Sequence, residues 1–550
     1  GIYSSFMQLA EMISYSSIPG CTRLFLDYLS QSAALAEFYQ SYPNDKAFSS
    51  LSQKLQSINY PRQELVEILS TQNQQYGASQ LTFEKIKLLA KSETVAVVTG
   101  QQVGLFGGPL YTVYKTITAI QFARLLTEQY SIPAIPVFWM AADDDDFAEI
   151  NHISIIDKSN QATKLEYTPT SPVSNKSPSG ILFDEKINEV MIQLESGLFD
   201  TEFKPLIFDT LRECYQPGTS FSTAFGKWMT KLFGKYGLVL LDPTDARFRK
   251  LAGSLYKKEI LEQAKSKEII KETTKSVCDK GYHQQVAIQD DKTHLFIDYA
   301  GSRYPIRKEA GRFLFSGTNM RYTADELIEL IDQTPEQFSP NVLLRPIFED
   351  AIIPTIAYIP GPNELAYYAQ IKKAYAFFGV QMPILIPRIG ATIIEKKIDE
   401  LLNKYQIPLE SLIRNSEKAV SDALKQSIPQ EITAELDQMK QLIDSQYQLL
   451  QEKITQWDQS LKEAIASSKN SVLHQVNSLG NKIGLAHKKK NDTIRDQLNK
   501  LVNHLLPNRN LQERSLNIIP YLVKYNFEFI DNLYSVVDFK NSKHQIIKIS

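Results

Sequence analysis

The sequence predicts an α/β protein built on a parallel sheet, followed by a long helical coiled coil. Three observations carry this. First, an apolar run, Val95-Ala96-Val97-Val98, enters a glycine-rich turn from Thr99 to Pro109. An apolar-periodic segment from Tyr111 to Tyr130 comes next, then a second apolar run from Ile135 to Trp139 that ends in Asp143-Asp144-Asp145-Asp146. That order is strand, tight loop, helix, strand. Second, the same order recurs from Thr355 to Arg388. Third, beyond about Ile393 the chain has little Gly or Pro. Apolar residues there recur at Ile432, Leu436, Met439, Ile443, Tyr447, Leu450, Ile454, Trp457, Leu461 and Ile465. Steps of three and four make the seam of a long amphipathic helix or coiled coil. Open parallel sheets bind ligands beyond the carboxyl ends of their strands. The Thr99–Pro109 turn and the acidic run therefore mark where chemistry is expected.

Residues 20–90 read as polar helices broken at Pro43 and Pro61. From Ile153 to about Phe203, short β-type runs such as Lys164-Leu165-Glu166-Tyr167 read as an excursion from the sheet. Leu238-Val239-Leu240-Leu241 is a short strand, with a helix from about Asp245. Runs at 295–299, 303–306 and 312–315, separated by Gly301-Ser302 and Ala310-Gly311, predict an antiparallel meander. Thr323-Ala324-Asp325-Glu326 is a capping box. In the second parallel unit, Ile356–Ile359 is the strand, Pro360–Asn363 the turn, Glu364–Phe378 the helix with Gly379 as its stop, and Pro383–Ile386 the closing strand. The helical seam resumes at Val472, Val476, Leu479 and Ile483, and again from Ile494 to Leu505. Gly480 and Gly484 weaken its middle, which predicts a hairpin that doubles back. From Leu511 to Ile549 the chain returns to the body, with Tyr521 and the Phe527–Tyr534 stretch able to bury against the sheet. The domains expected are an N-terminal helical part (1–92), a core (93–392) with insertions at about 153–235 and 270–335, a helical hairpin (393–505) and a returning segment (506–550).

With 550 residues, two or three domains are expected. A net charge of −2 gives no electrostatic case for nucleic acid or an anionic membrane. No apolar run is long enough to span a bilayer. The first residues lack the basic and apolar regions of a secretion signal. The three cysteines, Cys21, Cys214 and Cys278, are scattered with no CxxC. That argues against a disulfide scaffold or a cysteine zinc site and for a cytoplasmic protein.

The turn offers backbone N–H groups at a helix N-terminus, which suits an anion, and Lys115 lies near the helix start. It is not a Walker A loop, because no Gly-Lys-Ser/Thr closes it, and its glycine spacing is not a dinucleotide fingerprint. Asp143 to Asp146 read either as ligands for Mg²⁺ or an ammonium group, or as a solvated helix cap. His152 and His283 read either as structural histidines or as bases. Arg345 and Arg388, each beside a proline, read either as forks for a carboxylate or phosphate or as members of ion pairs.

Longer motifs add a resemblance. Thr99-Gly100-Gln101-Gln102-x-Gly104-Leu105-Phe106-Gly107-Gly108-Pro109-x-Tyr111-Thr112-x-Tyr114-Lys115 is similar to the signature of the cysteine ligase family of bacillithiol biosynthesis. So are Pro136–Trp139, Asp146-Phe147-x-Glu149-Ile150-Asn151-His152, Gly281-Tyr282-His283-x-Gln285-Val286, Leu344-Arg345-Pro346, Gly361-Pro362-x-Glu364-x-Ala366-Tyr367, Pro387-Arg388 and Leu511–Arg514. The resemblance covers nearly the whole chain. It implies a Rossmann-like core with inserted connecting segments and an α-helical coiled coil that makes a homodimer. The reaction it implies joins cysteine by an amide to the glucosamine of glucosaminyl malate. An amine and a carboxylate do not condense in water unless the carboxylate is activated, so ATP, with ADP as the alternative bound form, and Mg²⁺ are the expected cofactors. The candidate catalytic residues are Lys115, Asp144, Asp146 and His152. Candidate substrate or nucleotide contacts are Thr99, Gly100, Gln101, Gln102, Gly104, Gly107, Gly108, Tyr111, Trp139, Asp143, Asp145, Asn151, His283, Arg345, Gly361, Glu364, Tyr367 and Arg388. Asp143, Asp144, Asp145 and Asp146 are the candidate Mg²⁺ ligands.

Two stretches depart from the family pattern. Asp145 stands where the family usually carries histidine, and Pro360-Gly361-Pro362-Asn363-Glu364 replaces the usual Gly-Gly-Pro-Gly-Glu. They leave open two other readings: a catalytically impaired binding or scaffold homologue, and a nucleotidyltransferase-like enzyme acting on another small acid.

Overall fold

The computed structural model describes residues 6–143, 146–173, 176–426, 430–490 and 492–550. The chain forms two compact units. The first runs to Ile393 and resumes over Gln512–Ile549; the second is Ile394–Leu511.

The first unit is built on five parallel strands: β1 (Val95–Gln102), β2 (Ala134–Ala141), β3 (Val239–Leu241), β4 (Thr355–Ile359) and β5 (Ile384–Leu385). Their order across the sheet is β5-β4-β1-β2-β3, every neighbouring pair parallel. Val95–Val98, Ile135 and Val137, Val239–Leu241 and Ile356–Ile359 are almost wholly buried. Continuous apolar runs of this kind belong to strands covered on both faces. Helix α1 (Leu110–Gln129) carries the chain from β1 to β2, and α2 (Pro362–Phe378) carries it from β4 to β5. Pro362 opens α2 and Gly379, at φ 71°, closes it in the left-handed conformation. From β1 the chain moves outward through β2 and β3, then returns beside β1 as β4. The order therefore reverses between β1 and β4, which is the topological switch point of the sheet.

β1 pairs with β2 as far as Gln102↔Ala141. Thr99, Gly100, Gln101 and Gln102 are thus strand residues, and the turn begins later than the sequence predicts. The ladder continues because Trp139, Met140 and Ala141 extend β2 opposite them.

The excursion after β2 contains the hairpin His152–Ile156 with Ala162–Glu166 and helices Lys186–Gly197 and Lys204–Cys214. The expected meander is present as Lys292–Tyr299, Ser302–Glu309 and Arg312–Phe315, widened at its edges by Arg321–Tyr322 and Phe338–Pro340. Thr323 and Glu326 form their capping box. An unforeseen strand, Met7–Ile13, pairs antiparallel with His544–Ile549, and Ala391–Glu395 completes that sheet. The returning segment buries Tyr521, Phe529 and Leu533 in the main core.

In the second unit, Gln430–Trp457 and Lys462–Lys490 make the helical hairpin. It doubles back at Asp458, not at Gly480 or Gly484. Asp458 leaves the helical conformation and its side chain accepts from Ser460 N–H. The seam spacing runs through Trp457 and Leu461 without a break, so periodicity conceals the turn. Gly480 instead stays helical, facing Leu436 of the other arm. Among the described residues, no helix is long and apolar enough to cross a membrane.

Candidate active site

The switch point gathers a buried charged cluster. Lys115, on the first turns of α1, reaches inward. Its Nζ donates to Gly100 O (2.8 Å), to Gln101 Oε1 (3.0 Å) and to Glu364 Oε2. Glu364 also accepts from Tyr358 Oη (2.7 Å) and from Gly361 N–H (2.7 Å). Burial pushes the Glu364 carboxyl up, but Lys115, the Gly361 N–H and Arg345 outweigh it and hold the group below the usual range. Burial lowers the Lys115 ammonium, against the pull of Glu364. Lys115 on α1 thereby links the end of β1 to Glu364 at the start of α2. Gly361 sits at its centre: a Cβ there would lie 3.4 Å from Glu364 Oε2, 3.7 Å from Arg388 Nε and 3.8 Å from Lys115 Cε.

Two arginines flank the cluster, and each is also a member of an ion pair. Arg345 donates to Glu349 Oε2 (2.7 Å) and to Tyr367 Oη (2.7 Å), and lies 5.9 Å from the ring centroids of both Trp139 and Tyr358. Arg388 donates to Glu513 Oε1 (2.9 Å) and Ile389 O (2.9 Å), 5.5 Å from the Tyr111 ring. Tyr111 Oη in turn accepts from Gln101 Nε2 (3.3 Å). Thr99 Oγ1 donates to Ile359 O (2.9 Å), joining β1 to β4. Trp139 Nε1 is buried with no acceptor among the described residues. An orphaned donor beside Arg345 suits an oxygen anion.

The glycine turn itself is buried. Gly107, at φ 94°, holds a backbone conformation that L-residues rarely adopt, and a Cβ on it would lie a tight 3.2 Å from the Trp228 ring; one on Gly104 would lie 3.0 Å from Gly108 Cα. Asn517, which sequence reasoning missed, donates to Phe106 O (2.9 Å) and Gly108 O (2.8 Å). The turn's backbone N–H groups, expected to suit an anion, are partly spent within the turn, Gly107 N–H on Gly104 O (3.1 Å) and Gly108 N–H on Leu105 O (3.0 Å), and Leu110 N–H donates to Leu516 O (2.8 Å). The returning segment thus clasps the turn, and Gln101, Gln102 and Tyr111 form its half-buried rim.

Asp144 and Asp145 lie outside the described residues. Asp143 is buried, and with Asp298 it favours the charged form of the equally buried Arg249 against desolvation. Asp146 precedes the short helix Phe147–Ile150 and is exposed. Asn151 holds the hairpin base, donating to Glu166 Oε1 (3.2 Å) and Tyr167 O (3.3 Å), with His152 Nδ1 3.2 Å from Asn151 Oδ1. Burial, then Lys164, lowers the His152 imidazole from its usual range. His283 Nε2 lies 2.8 Å from Gln285 Oε1. Among the described residues, no three His, Cys, Asp or Glu are grouped as metal ligands.

The family description "Bacillithiol biosynthesis BshC, N-terminal Rossmann-like domain" matches residues 7–389, and "Bacillithiol biosynthesis BshC, C-terminal coiled-coil domain" matches 391–549. The chain belongs to the BshC family. Proteins named "Putative cysteine ligase BshC" from Salinibacter ruber and Koribacter versatilis are each 32% identical to it. The first match covers 96% of both chains; the second covers 98% of this chain and 100% of the relative. One of the same name from Chlorobaculum tepidum is also 32% identical, over 96% of this chain and 97% of the relative.

In this BshC-family chain the crevice opens beside a cleft of about 370 Å³. The cleft lies between the end of β2 and the antiparallel sheet, with Asp143, His294, Arg303, Asn341 and Arg345 in its wall. A second groove, of about 340 Å³, lies beyond Arg388 and is lined by Asn44, Phe48 and Phe539 among others.

Proposed function

We propose that the chain is an ATP-dependent ligase that joins the carboxyl group of cysteine by an amide to the glucosamine nitrogen of glucosaminyl malate. The observation that carries the reading is the Lys115–Glu364–Tyr358 network beside Arg345, placed where an open parallel sheet takes its ligands, in a chain that matches the ligase family over nearly its full length. Arg345 and Trp139 Nε1 supply donors for a carboxylate or phosphate oxygen. Gln101 and Gln102, whose amides are held by Tyr111 and Glu149, line the rim where a nucleotide phosphate would approach, while the N-terminal end of α2 is already capped by Glu364. Mg²⁺ needs only one or two protein carboxylates beside phosphate oxygens, and the exposed Asp146 would be one of them. ATP supplies the phosphorus group that makes the carboxyl carbon electrophilic. The protein's own residues hold the acid and the amine together and keep bulk water out.

Two copies pair through the helical hairpin. Met439, Leu442, Leu449, Leu450 and Trp457 are exposed in one copy, and Trp457 is 82% exposed. A second copy would cover such an apolar stripe. The enzymatic reading is tested by incubating the purified chain with cysteine, glucosaminyl malate and Mg²⁺-ATP, and following product mass and nucleotide together. Amide product with matching ATP consumption is expected. Absence of both refutes the reading.

A further inference from the structure

The cleft between β2 and the antiparallel sheet holds a carboxylate–imidazole pair that no motif in the sequence marks. Glu259, on helix Gly253–Leu261, is fully buried, and His294, on strand Lys292–Tyr299, is 2% exposed. Glu259 Oε1 lies 2.8 Å from His294 Nδ1 and accepts from His294 N–H at 3.2 Å. Ser266 Oγ lies 3.5 Å from the same Nδ1. The Asn341 N–H donates to the His294 carbonyl at 2.8 Å and so fixes the backbone beneath the ring. Nε2 is buried with no hydrogen-bond partner among the described residues. A carboxylate that accepts a hydrogen bond from Nδ1–H fixes the tautomer in which Nε2 is a bare acceptor. His294 lines the cleft with Asp143, Arg303 and Arg345, and at about 370 Å³ the cleft is of a size for a small polar substrate.

We infer that His294 is the proton acceptor for the attacking amine and that Glu259 is its positioning residue. This rests on the ligase reading above. The sugar nitrogen arrives as an ammonium ion and cannot attack in that form. It gives one proton to Nε2. The freed lone pair forms the C–N bond to the activated cysteine carboxyl carbon. The C–O bond to the phosphorus-bearing oxygen breaks, with its electron pair going to that oxygen. The nitrogen then loses its second proton to solvent. Glu259 stabilises the imidazolium that forms, as a buried carboxylate does for a base it orients.

The test pairs two acceptors. Glucosaminyl malate must be deprotonated, whereas hydroxylamine is a weak base and is already neutral at pH 7. His294→Gln should lose about 10²-fold or more in kcat with glucosaminyl malate, and keep hydroxamate formation from cysteine and ATP within about twofold. Glu259→Gln, which keeps the shape of the pair, should lose less and shift the pH profile of kcat/KM with the sugar amine alone. If His294→Gln does not fold, Glu259→Gln carries the test by the same comparison. Equal loss with both acceptors would assign His294 to the structure of the cleft and overturn the inference. Unchanged turnover with the sugar amine would also overturn it. If the unsubstituted chain forms neither amide nor hydroxamate, the ligase reading itself fails, an outcome distinct from either of these.

Discussion

At the scale of single residues, the site depends on charges buried in pairs. Removing one member leaves the other uncompensated, which costs about 3–5 kcal/mol when a buried ion pair is broken. Glu364→Gln keeps the acceptor for Tyr358 Oη but strands the Lys115 ammonium. It should cost about 3 kcal/mol by urea unfolding and abolish amide formation. The carboxyls also set a pH dependence. Glu364 is held below the ordinary value of 4.5, so its contribution is fully present above that value and is lost as pH falls through the lower folded value. Asp350 runs the opposite way. Burial raises it from 3.8 to about 7, although Tyr375 Oη donates to it at 2.5 Å. The folded chain therefore binds its proton more tightly than the unfolded chain does, and stability drains as pH rises from 3.8 to about 7. Asp350→Asn should gain stability relative to the unsubstituted chain across that window. A constant difference in melting temperature from pH 4 to 7 would contradict this. Sequence reasoning named Lys115, Glu364, Arg345 and Arg388. It did not pair Lys115 with Glu364, which lies 249 residues away, because neither spacing nor composition carries contacts made by folding. Glu259 and His294 gave no signal, since a lone Glu on a helix and a lone His on a strand look like any others.

At the scale of elements, the glycine turn and its clasp are one unit. Gly107 adopts a φ of 94° against Trp228, where an L-residue is strained. Gly107→Ala should cost about 1–2 kcal/mol and lower ligand-induced stabilisation by cysteine and ATP. Asn517→Ala removes the donor to Phe106 O and Gly108 O and the acceptor for Ile519 N–H. The groups left unsatisfied cost about 1–3 kcal/mol each, so a thermal midpoint lowered by less than a degree would contradict the clasp. The parallel strands were legible because each is a short, continuous apolar run between turn residues. α1 and α2 were legible because each opens directly after such a strand and its turn. The partner of Met7–Ile13 was not, because it is His544–Ile549 at the other end of the chain. The hairpin turn at Asp458 was hidden because Trp457 and Leu461 keep the helical step across it. The glycines that drew attention, Gly480 and Gly484, both lie within a helix, Gly480 packed against Leu436 of the other arm.

At the scale of the whole molecule, a Rossmann-like unit and a helical hairpin unit lie in one chain. The family matches, residues 7–389 and 391–549, divide close to the first boundary between the units, but the coiled-coil match also takes in the returning segment 512–549, which belongs to the first compact unit. Exposed leucines on the hairpin lead to the expectation of a dimer. Light scattering should give twice the chain mass, and the double substitution Leu442→Glu, Leu449→Glu should give a monomer. An unchanged mass for the variant would contradict pairing through this stripe. The central claim is that ligands are taken at the switch point between β1 and β4. Hydrogen–deuterium exchange of the full chain, with and without ATP and cysteine, tests it most directly. The account predicts protection over residues 100–111, 139–143 and 358–367. Protection confined to the groove near Asn44 and Phe539, with those three stretches unchanged, would contradict it.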